Sequence, residues 1–114
     1  MIWEIGTTDE YDAWFLEQTE NGQESIRIKV ELLAEYGPHL PRPHADTLKG
    51  SKLSNLKELR AQTEYNLFRV AFLFDEERKA ILLIGGDKKG KNEKRFYRKL
   101  IKQAEEIYRQ YKEK

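Results

Sequence analysis

The period of the apolar positions changes twice along the chain. Tyr11, Trp14 and Phe15, and then Ile26, Val30 and Leu33, recur at the three- and four-residue spacing of amphipathic helices. Residues 2–5, ahead of them, read as a short strand. Thr7, with Glu10 three residues later, has the pattern of a capping box and is expected to open the first helix. Asn21-Gly22 separates the two helices. Gly37-Pro38 closes the second, because proline cannot continue a helix and glycine tolerates the left-handed cap. Residues 37–47, with Pro38, Pro41 and Pro43, read as an irregular loop.

From Leu56 the period becomes two. Leu59 and Ala61 alternate with Glu58, Arg60 and Gln62, and Phe68, Val70, Phe72 and Phe74 alternate with Leu67, Arg69, Ala71 and Leu73. Asp75–Lys79 is a hairpin connection, and the nearly continuous apolar run Ala80–Ile84 reads as a buried central strand. Asn92 is a suitable N-cap for a last helix whose apolar face is Phe96, Leu100, Ile101, Ala104, Ile107, Tyr108 and Tyr111. The order is strand, two helices, loop, three strands and helix. It predicts one α+β domain over residues 1–114, undivided by any repeat or linker.

Composition narrows the chemistry. With 114 residues, 39% of them hydrophobic, the chain supports a single modest core. There is no run of 18 apolar residues to cross a membrane, and Met1–Ile5 lacks the basic start and apolar stretch of a secretory signal, so a cytoplasmic protein is expected. The absence of cysteine excludes disulfides, thiolate zinc sites and a cysteine nucleophile. His39 and His44 have only Asp46 nearby as a further ligand, so neither a metal nor another cofactor is expected. The net charge of +1 is unevenly spread. Residues 1–36 hold two basic and nine acidic residues, whereas residues 87–114 hold eleven basic and five acidic. One surface then suits a polyanion and another repels it, although a solvated basic helix would give the same count.

The densest chemistry lies in the first hairpin. If residues 63–66 form its loop, Gln62 pairs with Leu67, Leu59 with Val70 and Ala61 with Phe68. Those apolar residues make one face, and a slip of one residue would destroy it. The same register sets Arg60 opposite Arg69 on the other face, with Glu58 two residues from Arg60. Like charges in that position repel, so removing one arginine is expected to relieve strain, and two guanidinium forks suit a phosphate. Neutralisation of the arginines by carboxylates in a surface network is the alternative. Gly85-Gly86-Asp87-Lys88-Lys89-Gly90-Lys91 can likewise bring amides and ammonium groups to a phosphate, or be an ordinary strand-to-helix turn. It is not a Walker A loop, because Asn92 follows Lys91.

Taken together, several segments resemble the RelE/ParE-superfamily toxins of bacterial toxin–antitoxin pairs, in their HigB or phage Gp49-like branch. They are Gly37-Pro38, Arg42-Pro43, Asp46-Thr47-Leu48-Lys49-Gly50-Ser51, Asn55-Leu56-Lys57-Glu58-Leu59-Arg60, Phe68-Arg69-Val70-Ala71-Phe72, Ala80–Gly90, and Phe96-Tyr97 with Ala104 and Tyr108. The resemblance implies a small, mostly antiparallel sheet with two N-terminal helices and a C-terminal helix. It implies cleavage of mRNA on the ribosome, without metal, by attack of a ribose 2′-hydroxyl to leave a 2′,3′-cyclic phosphate. It also implies inhibition by a cognate antitoxin, expected to carry a helix-turn-helix domain. Position by position, the likeness makes Arg69 the phosphate-binding arginine and Arg60 and Lys88 further basic members. Glu58 becomes the candidate base, and Tyr97 a proton donor or a stacking platform. Lys57, Lys89, Lys91, Lys94 and Arg95 are the flanking residues expected to meet RNA phosphates. Unlike better-studied relatives, the C-terminal segment has no histidine. Two other readings stay open: a non-catalytic inhibitor of DNA gyrase on the same fold, and a toxin-derived domain that only binds nucleic acid or a partner.

Overall fold

The computed structural model describes residues 2–114. Four strand segments lie in antiparallel pairs and a fifth is parallel. β1 (Glu4–Thr7) is followed by helices α1 (Asp9–Leu16) and α2 (Glu20–Tyr36), then by β2 (Ala45–Thr47), β3 (Lys57–Gln62), β4 (Leu67–Phe74), β5 (Lys79–Asp87) and helix α3 (Glu93–Lys112). The sheet order is β1-β5-β4-β3-β2, with β1 parallel to β5. The hairpin register follows the alternation pattern: Leu59 pairs with Val70, Arg60 with Arg69, Ala61 with Phe68 and Gln62 with Leu67.

Alternation divides the core into two layers. Leu59, Ala61, Phe68, Val70, Phe72, Ala80 and Leu82 face α1 and α2, where they meet Tyr11, Ile26 and Leu33. Ala71, Leu73, Ile81 and Leu83 face α3, where Leu100 and Ala104 are buried against them. The sheet is therefore covered on both faces, and the arginine face is also the face on which the last helix lies.

A β-bulge interrupts the β4–β5 ladder. Phe72 pairs with Leu82 and Ala71 with Ile84, which leaves Leu83 as the additional residue. Beyond the bulge, Gly85 lies under the Trp14 ring and Gly86 under Phe96. A methyl group at Gly85 would overlap the indole, so glycine is required there by close approach.

Four details differ from the sequence reading, the first being that Asn21-Gly22 lies inside α2, which Thr19 caps, so that the helices part at residues 17–19. The first strand lies at residues 4–7 and not 2–5, because its partners Lys79–Leu82 set the register. The helix cap is Thr8, one residue later than expected. Its hydroxyl accepts from the Tyr11 amide at 3.0 Å and donates to the Leu83 carbonyl at 2.7 Å, while Thr7 still belongs to the strand. Residues 37–47 are not wholly irregular, since a 3-10 turn at Gly37–His39 is followed by β2. This strand is short, follows Pro43 and lies at the sheet edge, where proline nearby is tolerated.

Candidate functional site

Glu58 lies between the two arginines that the register brings face to face. Its side chain is only 4% exposed. One oxygen, Oε2, accepts from Arg60 Nε at 3.2 Å and Nη2 at 3.1 Å. The other, Oε1, accepts from the Tyr97 hydroxyl at 2.8 Å and lies 3.6 Å from Arg69 Nε. Arg69 Nε donates to the Tyr97 oxygen at 3.2 Å, and its Nη1 donates to the Phe68 carbonyl at 2.9 Å. The carboxylate thus replaces cross-strand repulsion with two attractions. Removing an arginine no longer relieves strain, as the bare pairing suggested, but leaves a buried carboxylate with less compensation.

The network extends outward through Asp46, which β2 places opposite Glu58. Asp46 Oδ2 lies 3.3 Å from Arg60 Nη2 and accepts from Arg42 Nε at 2.9 Å. The Arg42 hydrogen bond, aided by that from the Thr47 amide, holds the Asp46 carboxyl below the usual carboxylate range. On the opposite side, the Lys88 ammonium lies 5.5 Å from the centre of the Tyr97 ring and 2.7 Å from Glu93 Oε1. Glu58, Arg60, Arg69, Tyr97 and Lys88 therefore form one constellation. Asp46, Arg42 and Glu93 are members that sequence reasoning missed as partners. Asp46 lies in β2, a strand of three residues, too short for its alternation to show in the sequence.

The five flanking cations are more dispersed. Lys57 pairs across the sheet with Phe72 and so lies on the α1–α2 face, away from Glu58. Lys89 Nζ donates to the Glu64 carbonyl at 2.7 Å, over the hairpin loop. Lys91 and Arg95 line a groove between α1 and α3, together with Trp14 and Phe96. Lys94 lines a different cleft, one that Tyr97 shares. The glycine-rich segment is no phosphate cradle in this arrangement. Asp87 Oδ1 accepts from the Leu67 and Lys89 amides at 3.0 Å each, and the Lys88 carbonyl accepts from the Lys91 amide, so two of the turn's amides are already engaged. Burial would raise the Asp87 carboxyl, but hydrogen bonds from Asn66 and these amides outweigh it and hold the group low.

Burial, reinforced by the Glu58 carboxylate, pushes the Tyr97 hydroxyl up to about 12. Tyr97 stays protonated through the neutral range and directs its proton at Glu58. A raised phenol pKa favours the neutral form in the folded chain. Its contribution to stability is then full below pH 10.0, the ordinary tyrosine value, and is lost as pH rises toward about 12. Urea midpoints measured across that range should fall less steeply for Tyr97→Phe than for the parent. Identical slopes would mean that the Tyr97 hydroxyl is not held buried against Glu58 in solution.

The chain belongs to the phage-derived Gp49-like family (phage derived protein Gp49-like, DUF891), whose pattern matches residues 13–109. Among curated proteins, it is 42% identical over 87 residues to the toxin HigB3 of Mycobacterium tuberculosis, covering 75% of this chain and 73% of that one. It is 35% identical over 100 residues to HigB2 of the same organism, covering 87% of this chain but 49% of HigB2. The fold is that of a free-state variant of the E. coli toxin RelE, with a TM-score of 0.63 at 10% identity over 89% of this chain and 95% of that one. It is also that of the archaeal RelE–RelB complex from Pyrococcus horikoshii, with a TM-score of 0.57 at 16% identity over 80% of this chain and 100% of that one. Among the described residues, no helix is long and apolar enough to cross a membrane.

Proposed function

We propose that the protein is the toxin of a toxin–antitoxin pair and acts in the cytoplasm as a ribosome-dependent endoribonuclease on mRNA. The observation that carries this reading is the Glu58–Tyr97–Arg69 contact, a carboxylate and a hydroxyl sharing a proton beside a guanidinium. Cleavage by a 2′-hydroxyl needs a proton acceptor, positive groups on the phosphate oxygens and a donor for the leaving oxygen. Glu58 is too buried to meet the 2′-hydroxyl directly. The Tyr97 oxygen takes the 2′-hydroxyl proton as its own passes to Glu58, so no tyrosinate accumulates. The 2′-oxygen bonds to phosphorus and the bond to the 5′-oxygen breaks. Arg69 and Arg60 bear on the phosphate oxygens, and Lys88, held by Glu93, supplies the proton that leaves a 5′-hydroxyl. The products are a 2′,3′-cyclic phosphate end and a 5′-hydroxyl end.

An antitoxin, with the helix-turn-helix architecture expected from the sequence, is the natural protein partner, and the solved relatives named as toxin–antitoxin and RelE–RelB complexes support that part of the reading. β1, α1 and α2 lie within the acidic segment 1–36. An antitoxin docked on those helices would inhibit by keeping the arginine face away from the ribosome. The test is primer extension on mRNA from expressing cells, with ribosome-bound and free transcripts compared. Cuts confined to translated messages, with growth arrest, are the expected result. Intact transcripts accompanied by an early loss of DNA supercoiling would replace this reading with gyrase inhibition.

A further inference from the structure

Beside the Glu58–Tyr97 pair, an open cleft of about 430 Å³ runs between the Lys49-Gly50 turn and α3. Tyr97 belongs to both places, since it lines the cleft and its hydroxyl reaches Glu58. Lys49, Lys94, Arg98 and Lys102 line the cleft and are exposed. Among the described residues, none of these four has a carboxylate within ion-pair distance. The one acid in the lining, Glu105, is already engaged. Its Oε2 accepts from the Ser51 hydroxyl at 2.9 Å and from the Lys52 amide at 2.6 Å, which ties the turn to the helix and fixes the cleft's width.

The spacing on α3 is regular. Lys94, Arg98 and Lys102 follow one another at four-residue steps, about 6 Å of rise each. That is close to the separation of successive phosphates along an extended single strand. We infer that this cleft is a binding subsite for the sugar–phosphate backbone of single-stranded RNA next to the scissile phosphate, with Lys49, Arg98 and Lys102 as its phosphate ligands. The inference rests on the endoribonuclease reading and adds to it a direction for the substrate, from the arginine pair past Tyr97 and along α3. It also explains why the helix keeps this row of cations unpaired while Arg109, further along, is paired with Glu106 and Glu113.

The test uses a fluorescein-labelled ten-nucleotide RNA carrying 2′-O-methyl groups throughout, which cannot be cleaved, and follows its anisotropy between ~50 and ~200 mM salt. Each neutralised phosphate of a single strand contributes about 0.7 to the slope of log affinity against log salt. The triple variant Lys49→Ser, Arg98→Ser, Lys102→Ser should lose about 2 from that slope and at least about tenfold in affinity at low salt. Its far-UV spectrum and urea midpoint should match the parent's, because all three side chains are exposed. Lys112→Ser, on the same helix but outside the cleft, should leave the slope unchanged. An unchanged slope in the triple variant, while the parent still cleaves translated mRNA, overturns the subsite and leaves the nuclease reading standing. A loss of about 0.7 from Lys112→Ser, the same per charge as in the triple variant, would reduce the effect to net charge and overturn it as well. Displacement of the RNA by an acidic decapeptide, with no dependence on RNA length, would assign the cleft to a protein partner instead. A parent that neither binds the RNA nor cleaves mRNA removes both proposals together.

Discussion

Arg69→Ala is expected to slow single-turnover cleavage of ribosome-bound mRNA by at least about a hundredfold, the loss seen when a preorganised donor to developing charge is removed. Arg69 is held by the Phe68 carbonyl and the Tyr97 hydroxyl, so its orientation is set before substrate arrives. The same anchoring gives the substitution a structural cost. Glu58 loses one of its cations and Tyr97 loses a donor, while Arg60 still satisfies Oε2. About 1–3 kcal/mol of stability should go with the guanidinium, the range for buried groups left short of a partner. Urea unfolding gives the stability and rapid-quench kinetics on programmed ribosomes gives the rate. Arg69→Lys should recover part of the stability and little of the rate, because one ammonium cannot hold the fork geometry. Full cleavage by Arg69→Ala would place the phosphate elsewhere.

Glu58→Ala should be the most damaging single change to the fold. It leaves Arg69, whose side chain is 10% exposed, facing Arg60 across the ladder with no carboxylate between them. Breaking a buried ion pair from one side costs about 3–5 kcal/mol, a large share of a small domain's stability. Glu58→Gln keeps an acceptor for Tyr97 and should retain more of the fold. It cannot take up a proton, and single-turnover cleavage should fall about a hundredfold or more. If Glu58→Gln cleaves at the parent rate, the proton acceptor is misassigned and the carboxylate only positions the arginines. If Glu58→Ala unfolds at the parent's urea midpoint, the two arginines do not share this carboxylate in solution.

The hairpin was legible in the sequence because two constraints coincide there. A four-residue loop and a two-residue period fix the same register, and that register alone implies the Arg60–Arg69 pair. The mediation by Glu58 and Tyr97 was not legible as geometry. The stripe on α3 marks which side of the helix is buried, but not which sheet face it covers, and Tyr97 reaches Glu58 only because α3 lies over the arginines. Asp46 was hidden for a different reason: three residues beside prolines are too short to show a period. The dispersal of the flanking cations is also geometric. Lys57 is lost to strand alternation, and Lys91 and Arg95 to the far border of α3. Adjacency in sequence to Glu58 or Tyr97 could not separate them from Lys94.

The additional residue in β5 acts on the site like a shift of reading frame. Upstream of Leu83, even-numbered residues look toward α1 and α2, as Ala80 and Leu82 do. Downstream, the even positions are turned over, so that Gly86 pairs with Arg69 and the Lys88 amide bonds to the Leu67 carbonyl. Lys88 consequently arrives on the arginine face. Were the ladder continued without the bulge, Leu67 would stand opposite Asp87, and the rim of the site would gain a carboxylate where it now has an ammonium. The bulge thus decides which charge is offered to a phosphate without any residue of the constellation being altered, which makes the pairing of this strand as much a determinant of the chemistry as the side chains it carries.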